Sequence, residues 1–459
     1  MLSASAIDHF RRAFRGRLLV PSDDPAYDHA RRVFNATIDR RPALIAQCGD
    51  SADVVACVTF ARERELPLSV RGGGHSIAGK AVCDGGLMID LSTMKGIRVE
   101  PAARTTRAEP GLTLGEFDRA THPFGLATTL GVVSNTGIAG LTLGGGIGWL
   151  NGKYGLACDN AIAFDVVAAD ATVLRATAAE HEDLYWGLRG GSGNLAIVTA
   201  IQYRLHPVET VLAGAVFHPL DRAAEALRFF VEFSAGAPDE LTTMAALVTL
   251  PDGAPAAALS VCYCGSPADG ERVVTPLRSF GSPLADRIER MPYVAAQSML
   301  DGFFPANHHH YWKSNLTSRV PYEAIDAMVD YMARKPSPFT IAGLQALHGA
   351  AGRVPGGDTA FPHRGDRFDC MILSQWADAA DGDRNIAWTK EFYAAIQPHV
   401  DAAVYVNNLG DEPDAVVRAA FGANYQRLAA VKARYDPTNV FRSTQNVRPN
   451  PDATTAAHT

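Results

Sequence analysis

The chain reads as an α+β protein assembled in two parts, and three observations carry that reading. The segment up to Tyr203 is rich in glycine and in short strand-like runs. The middle segment places amphipathic helices beside longer strands. No G-x-G-x-x-G, the fingerprint of a Rossmann fold, opens a helix after an early strand. With 459 residues, two domains and a large core are the natural expectation.

The elements follow in order. Residues 66–70 and 87–91 are apolar strand-like runs that bracket a turn, Arg71-Gly72-Gly73-Gly74-His75-Ser76-Ile77-Ala78-Gly79. Residues 163–167 and 172–174 form a hairpin across Ala169, Asp170 and Ala171. Residues 195–203 make a partly buried strand, and His206-Pro207-Val208 breaks it at the first domain boundary. Residues 221–233 are helical, with Ala224, Leu227, Phe230 and Val231 at helical spacing. Pro321 opens another helix at its first position, with Ile325, Met328, Val329 and Met332 as the buried stripe. Strands 257–263 and 368–376 form a sheet backed by those helices. After 404–408 one long final helix carries Val417, Ala420, Phe421, Tyr425, Leu428 and Val431 on one face. Asp436-Pro437-Thr438-Asn439 ends it, and the tail from Pro449 is polar and frayed.

Composition narrows the function. Hydrophobic residues make up 47% and charged residues 20%, with a formal net charge of -7. Nothing there advertises nucleic acid or an anionic membrane, and no run is long enough to span a bilayer. The 7 cysteines are scattered and odd in number, and the N-terminus lacks signal-peptide regions. Reduced thiols and a cytoplasmic location are the expectation. Cys262 and Cys264 lack partners at zinc spacing. His308-His309-His310 puts consecutive side chains in different directions, so no metal is expected.

The glycine turn is the chemical centre of the sequence. Glycines let the backbone approach an anion closely, and His75 sits at the tip. Gly74 to Lys80 also spells the G-x-x-x-x-G-K frame of a nucleotide P-loop. That frame needs Ser or Thr next and a helix starting at the lysine. Here Ala81 follows, and then a turn.

Five segments match one family in order. They are Arg71–Ser76; the glycine run Gly137–Trp149 with Lys153-Tyr154-Gly155-Leu156; Asp183–Asn194; Tyr435–Arg442; and Gln445-Asn446-Val447. The chain resembles the berberine-bridge-enzyme-like FAD-linked oxidases of the vanillyl-alcohol-oxidase superfamily, over essentially its whole length. The resemblance implies a two-part FAD-binding domain, residues 1–207 and 405–459, around a substrate domain, residues 208–404, with an antiparallel sheet backed by helices. Arg71, Gly72, Gly73, Gly74, His75, Ser76, Gly137, Gly140, Gly144, Gly145, Gly148, Val198 and Asn446 are the implied cofactor residues. His75 matches the histidine that bonds covalently to the flavin's dimethylbenzene methyl group. A second link through cysteine is not expected, because Val133 stands at about that place and Cys158 falls after the glycines.

The resemblance also implies the reaction. A hydride leaves a substrate carbon for FAD, a proton leaves a neighbouring O–H or N–H, and dioxygen yields hydrogen peroxide. The substrate is a small alcohol, amine, sugar or polyketide-type metabolite. A flavin-dependent oxygenase or cyclase of secondary metabolism is the alternative, and a P-loop nucleotide binder a remote one. Relatives place a tyrosine in a Y-x-N-Y pattern. Here it reads Tyr405-Val406-Asn407-Asn408, so Tyr405 and Asn407 remain, on one face if the segment is a strand. Gln345 and His348 are the candidates on the strand that faces the flavin.

Overall fold

The computed structural model describes residues 2–21 and 24–450. Among the described residues the strands form two small sheets, one two-stranded ribbon and one large sheet. The first sheet centres on Leu87–Asp90, flanked in parallel by Leu44–Gln47 and Leu68–Arg71, with Arg17–Leu19 antiparallel at the edge. Every residue of Leu87–Asp90 is buried, as a parallel strand covered on both faces requires. Helix Ser51–Glu63 covers one face, packing Val54, Cys57, Val58 and Ala61 into the core. Its start is fixed by Asp50, whose carboxylate accepts from the backbone of Ala52 and Asp53. The glycine turn leaves the carboxyl end of Leu68–Arg71, the edge where open parallel sheets bind ligands.

The second sheet is antiparallel, in the order Ile97–Glu100, Thr105–Ala108, Ile197–Arg204, Ala161–Val167, Val173–Ala176. It contains the expected hairpin. The break after Arg204 is a two-residue strand, His206–Pro207, paired with Leu126–Ala127.

The large sheet is drawn entirely from residues 210–376 and is antiparallel throughout. Helices Ala223–Ala235, Pro267–Ser279, Tyr322–Ala333 and Gly382–Ile396 cover one face. Strand Arg367–Trp376 shows how the two faces divide. Phe368, Cys370 and Ile372 pack toward the helices, while Asp369, Met371 and Leu373 face a cavity. Ile341–Leu347 does the same, with Ala342, Leu344 and Ala346 outward and Gln345 toward the cavity.

Several expectations change. Pro321 is the N-cap of its helix rather than its first residue. The long final helix is two helices, Asp414–Phe421 and Tyr425–Tyr435. Gly422, with φ +44°, takes a backbone conformation that favours glycine and ends the first of them. Both still bury the expected apolar face in one core. Residues 404–408 are not a strand. Val406–Asn408 is a 3-10 turn, and the segment pairs only through a single bridge from Ala403 to Leu316. The start of the tail is tied down, since the Asn450 N–H donates to the Ala429 carbonyl at 3.1 Å. Residues 451–459 of the expected frayed tail lie outside the described residues.

A buried ion pair anchors the C-terminal return. Lys432 Nζ lies 2.5 Å from Asp436 Oδ2, with both side chains fully buried. The ammonium also donates to the carbonyls of Asn194 at 2.7 Å and Phe441 at 3.0 Å. Asp436 in turn accepts from the backbone of Val440 at 2.7 Å and Phe441 at 2.8 Å. Replacing Lys432 by Met strands the carboxylate without a countercharge. The expected loss is about 3–5 kcal/mol of stability, read as a lower urea midpoint. A midpoint equal to the parent's would contradict this role.

Candidate active site

A cavity of about 320 Å³ lies between the glycine turn and the open face of the large sheet. One backbone approach and one tight turn build its floor. Gly73 and Gly137 touch main chain to main chain: a Cβ on Gly73 would lie 2.5 Å from the Gly137 Cα, and one on Gly137 would lie 2.5 Å from the Gly73 nitrogen. Gly74, at φ +71°, then turns the chain so that His75 faces the cavity.

His75 is held from two sides. Its ring stacks on Phe34 at 3.7 Å between centroids and 16° between planes. Its Nε2 lies 3.2 Å from the Asn135 side-chain oxygen. Loss of water around the ring pushes its pKa down to about 4, so the imidazole is neutral near pH 7. Val133, where a second link would require cysteine, also lines the cavity. Cys158 is buried elsewhere, its thiol 3.7 Å from Asp159 Oδ1 and its pKa pushed well up by burial.

The opposite wall carries the residue that the sequence reading missed. Asp369 is buried on the cavity face of its strand, beside Gln345 in register. Its Oδ2 accepts from Asn408 Nδ2 at 2.7 Å, while its Oδ1 has no protein partner. Burial raises its pKa to about 7, against the opposing pull of the Asn408 and Ser314 hydrogen bonds. The Nε2 of Gln345 is likewise buried without a partner. Period-two alternation along 367–376 was the available signal, since it groups Asp369 with Met371 and Leu373.

Tyr405 and Asn407 do meet at the cavity, although by a turn and not by strand alternation. The Tyr405 hydroxyl oxygen accepts from the Gly146 N–H at 2.9 Å and from Asn407 Nδ2 at 2.8 Å. Burial, outweighing those two donors, pushes the phenol's pKa well up. Tyr405 therefore stays protonated near neutral pH. Asn408 points instead to Asp369.

Of the expected cofactor residues, Gly72, Gly73, Gly74, His75, Ser76, Gly137, Gly140 and Val198 line the cavity. Others do not. The Arg71 guanidinium is spent on Asp90, at 2.9 and 2.5 Å, and on the carbonyls of Ala30 and Arg32. Gly144, Gly145 and Gly148 serve packing. A Cβ on Gly144 would lie 2.0 Å from Asn407 Oδ1, one on Gly145 2.9 Å from the Phe361 ring, and one on Gly148 2.7 Å from the Leu130 carbonyl. Asn446 lies off the cavity, while its neighbours Thr444 and Gln445 line it. His348 is also elsewhere: its Nε2 is 2.8 Å from the Leu241 carbonyl, a satisfied histidine just past its strand. The P-loop reading fails on geometry. Lys80 Nζ pairs with Asp411 at 2.8 Å, and a turn, not a helix, leads on to Leu87–Asp90.

A planar, phosphorylated cofactor fits this arrangement on two observations. Gly140 is exposed, and a Cβ there would meet no protein atom within 4 Å, so its backbone is bare to a ligand. The unpartnered polar atoms of Gln345 and Asp369 sit on the facing wall, where a substrate would meet that ligand.

Comparison with known proteins agrees with the geometry. Residues 42–177 match the FAD binding domain family, and residues 404–448 match the family described as berberine and berberine like. The chain is 30% identical to the FAD-linked oxidoreductase YgaK of Bacillus subtilis, over 94% of this chain and 96% of that one. It is 29% identical to (R)-6-hydroxynicotine oxidase of Paenarthrobacter nicotinovorans, over 95% and 97%. The crystal structure of 6-hydroxy-D-nicotine oxidase from Arthrobacter nicotinovorans superposes with a TM-score of 0.89 at 26% identity, covering 98% of this chain and all of that one. With a vanillyl-alcohol-oxidase-type fold, FAD as its cofactor and relatives matched end to end, the chain belongs to the berberine-bridge-enzyme-like FAD-linked oxidoreductases.

Proposed function

We propose that this protein is an oxidase. It takes a hydride and a proton from an alcohol- or amine-bearing carbon of a small organic molecule and passes both electrons to dioxygen, which leaves as hydrogen peroxide. The carrying observation is Asp369: a buried carboxyl with a free oxygen on the cavity wall, titrating at about 7. A base poised near the working pH is what proton removal requires.

In this reading residues 1–207 and 405–459 hold FAD, and residues 208–404 hold the substrate. Bound FAD supplies the two-electron acceptor. His75 would be its covalent anchor: the neutral imidazole can supply the nitrogen lone pair for a C–N bond to the flavin's dimethylbenzene methyl carbon, which would give up a hydrogen as the two electrons released pass through the flavin to dioxygen. With Nε2 engaged by Asn135, Nδ1 is the bonding nitrogen. Asp369 receives the substrate proton at Oδ1, Gln345 Nε2 donates to the substrate heteroatom, and Asn408 steadies the carboxylate from the other side. Tyr405 keeps its proton, and its hydroxyl is available as a hydrogen-bond donor on the cavity wall. The relative named a 6-hydroxynicotine oxidase supports an oxidative outcome on an organic substrate.

Anaerobic addition of a substrate should bleach the yellow protein, and air should restore the colour with release of one peroxide per substrate. Turnover of a substrate without any bleaching would overturn the oxidase reading. The pH profile separates Asp369 from Tyr405. The active form of Asp369 is the carboxylate, so kcat/KM should rise as pH passes upward through about 7 and then level. Asp369→Asn should cut kcat/KM by about a hundred- to ten-thousandfold and abolish that rise. A variant that keeps both rate and limb would assign the base elsewhere.

A further inference from the structure

A second chamber of about 300 Å³ opens from the first, deeper along the large sheet. Val132, Phe304, Gln345, Met371 and Leu373 line both, so the two are continuous at the position where Gln345 stands beside Asp369. Small side chains of the sheet form one wall: Ala215, Ala246 and Ala258, with Phe217. Met299, Leu300 and Phe303, which follow helix Tyr293–Gln297, cover them from the other side.

The chemistry of this chamber is one-sided. Of its described lining residues only Ser260, Gln345 and Arg287 carry polar side chains, and Arg287 is solvent-exposed. The backbone offers little more, because the sheet ladder pairs Ala215 with Ser260, Phe217 with Ala258 and Ala246 with Gly343. Phe217, Met299, Leu300, Phe303 and Met371 are each only partly covered by protein. A ligand hydroxyl carried into this space would lose water and find only Ser260, Gln345 and Arg287 as side-chain partners. A methylene or an aromatic ring would shed water against apolar walls.

We infer that the substrate is a small amphiphile: one alcohol or amine head held between Gln345 and Asp369, and an alkyl or aryl body buried in this second chamber. The inference rests on the oxidase reading for the fate of the head group and on the chamber alone for the body. It disfavours a sugar, whose hydroxyls line its whole length and would outnumber the three polar side chains of the chamber. On oxidation the carbon bearing the head loses a hydride to FAD and the head loses a proton to Asp369. The body takes no part beyond holding the head in place, so binding energy comes from a region remote from the reacting carbon.

Calorimetric titration of the yellow holoenzyme with butylamine, hexylamine, octylamine and benzyl alcohol tests the chamber, with cellobiose as the polar arm. Affinity should rise roughly fourfold per added methylene until the space is full, and cellobiose should not bind. Ala246→Phe fills the chamber and should weaken octylamine about tenfold or more with the flavin content unchanged. Phe217→Ala enlarges the chamber and should move the optimum to longer chains, a gain that misfolding does not produce. Affinity that is flat along the series, tighter binding of cellobiose, or indifference to both substitutions would overturn the inference. Chain-length-dependent binding in which no compound bleaches the flavin would uphold the chamber while overturning the oxidase reading.

Discussion

The site depends on one close approach. Gly73 and Gly137 lie so near each other that neither position has room for a Cβ. Through that contact a loop leaving a parallel sheet meets a segment more than sixty residues further on in the chain. The meeting brings Asn135 within hydrogen-bond distance of His75 and Val133 into the same cavity. A single methyl group at either glycine would part the two segments and move the imidazole off the cavity floor.

The facing wall is ordered by a different rule. The large sheet must bury one face under four helices, and strand periodicity then sends every other residue the opposite way. Asp369 falls on the cavity side with Met371 and Leu373, beside Gln345 and Asn408. The same desolvation that raises its carboxyl lowers the imidazole of His75. Burial beside one cavity thus keeps a carboxyl titratable near neutrality and a histidine uncharged.

What could be read from sequence follows from how local each signal is. The glycine turn, the hairpin at 161–176 and the helical stripes are set by spacing within a few residues, and the structure contains them. Arg71 sits inside the glycine motif, yet its side chain is claimed by Asp90 on the neighbouring strand, a partner that no local pattern reveals. Gly144, Gly145 and Gly148 look like cofactor glycines but answer to Asn407, Phe361 and Leu130, all distant in the chain. His348 and Asp369 were separable only once the sheet had a cavity side. Tyr405 and Asn407 meet through a 3-10 turn and not through strand alternation, so the period-two pattern does not account for their contact.

The central claim is that the neutral ring of His75 carries the flavin. Mass spectrometry of the proteolytic peptide containing His75, from protein precipitated in acid, tests it most directly. This peptide should bear the added mass of FAD, the Cys158 peptide should be unmodified, and His75→Ala should remove the adduct. An unmodified His75 peptide from yellow protein, or flavin still attached in His75→Ala, would contradict it.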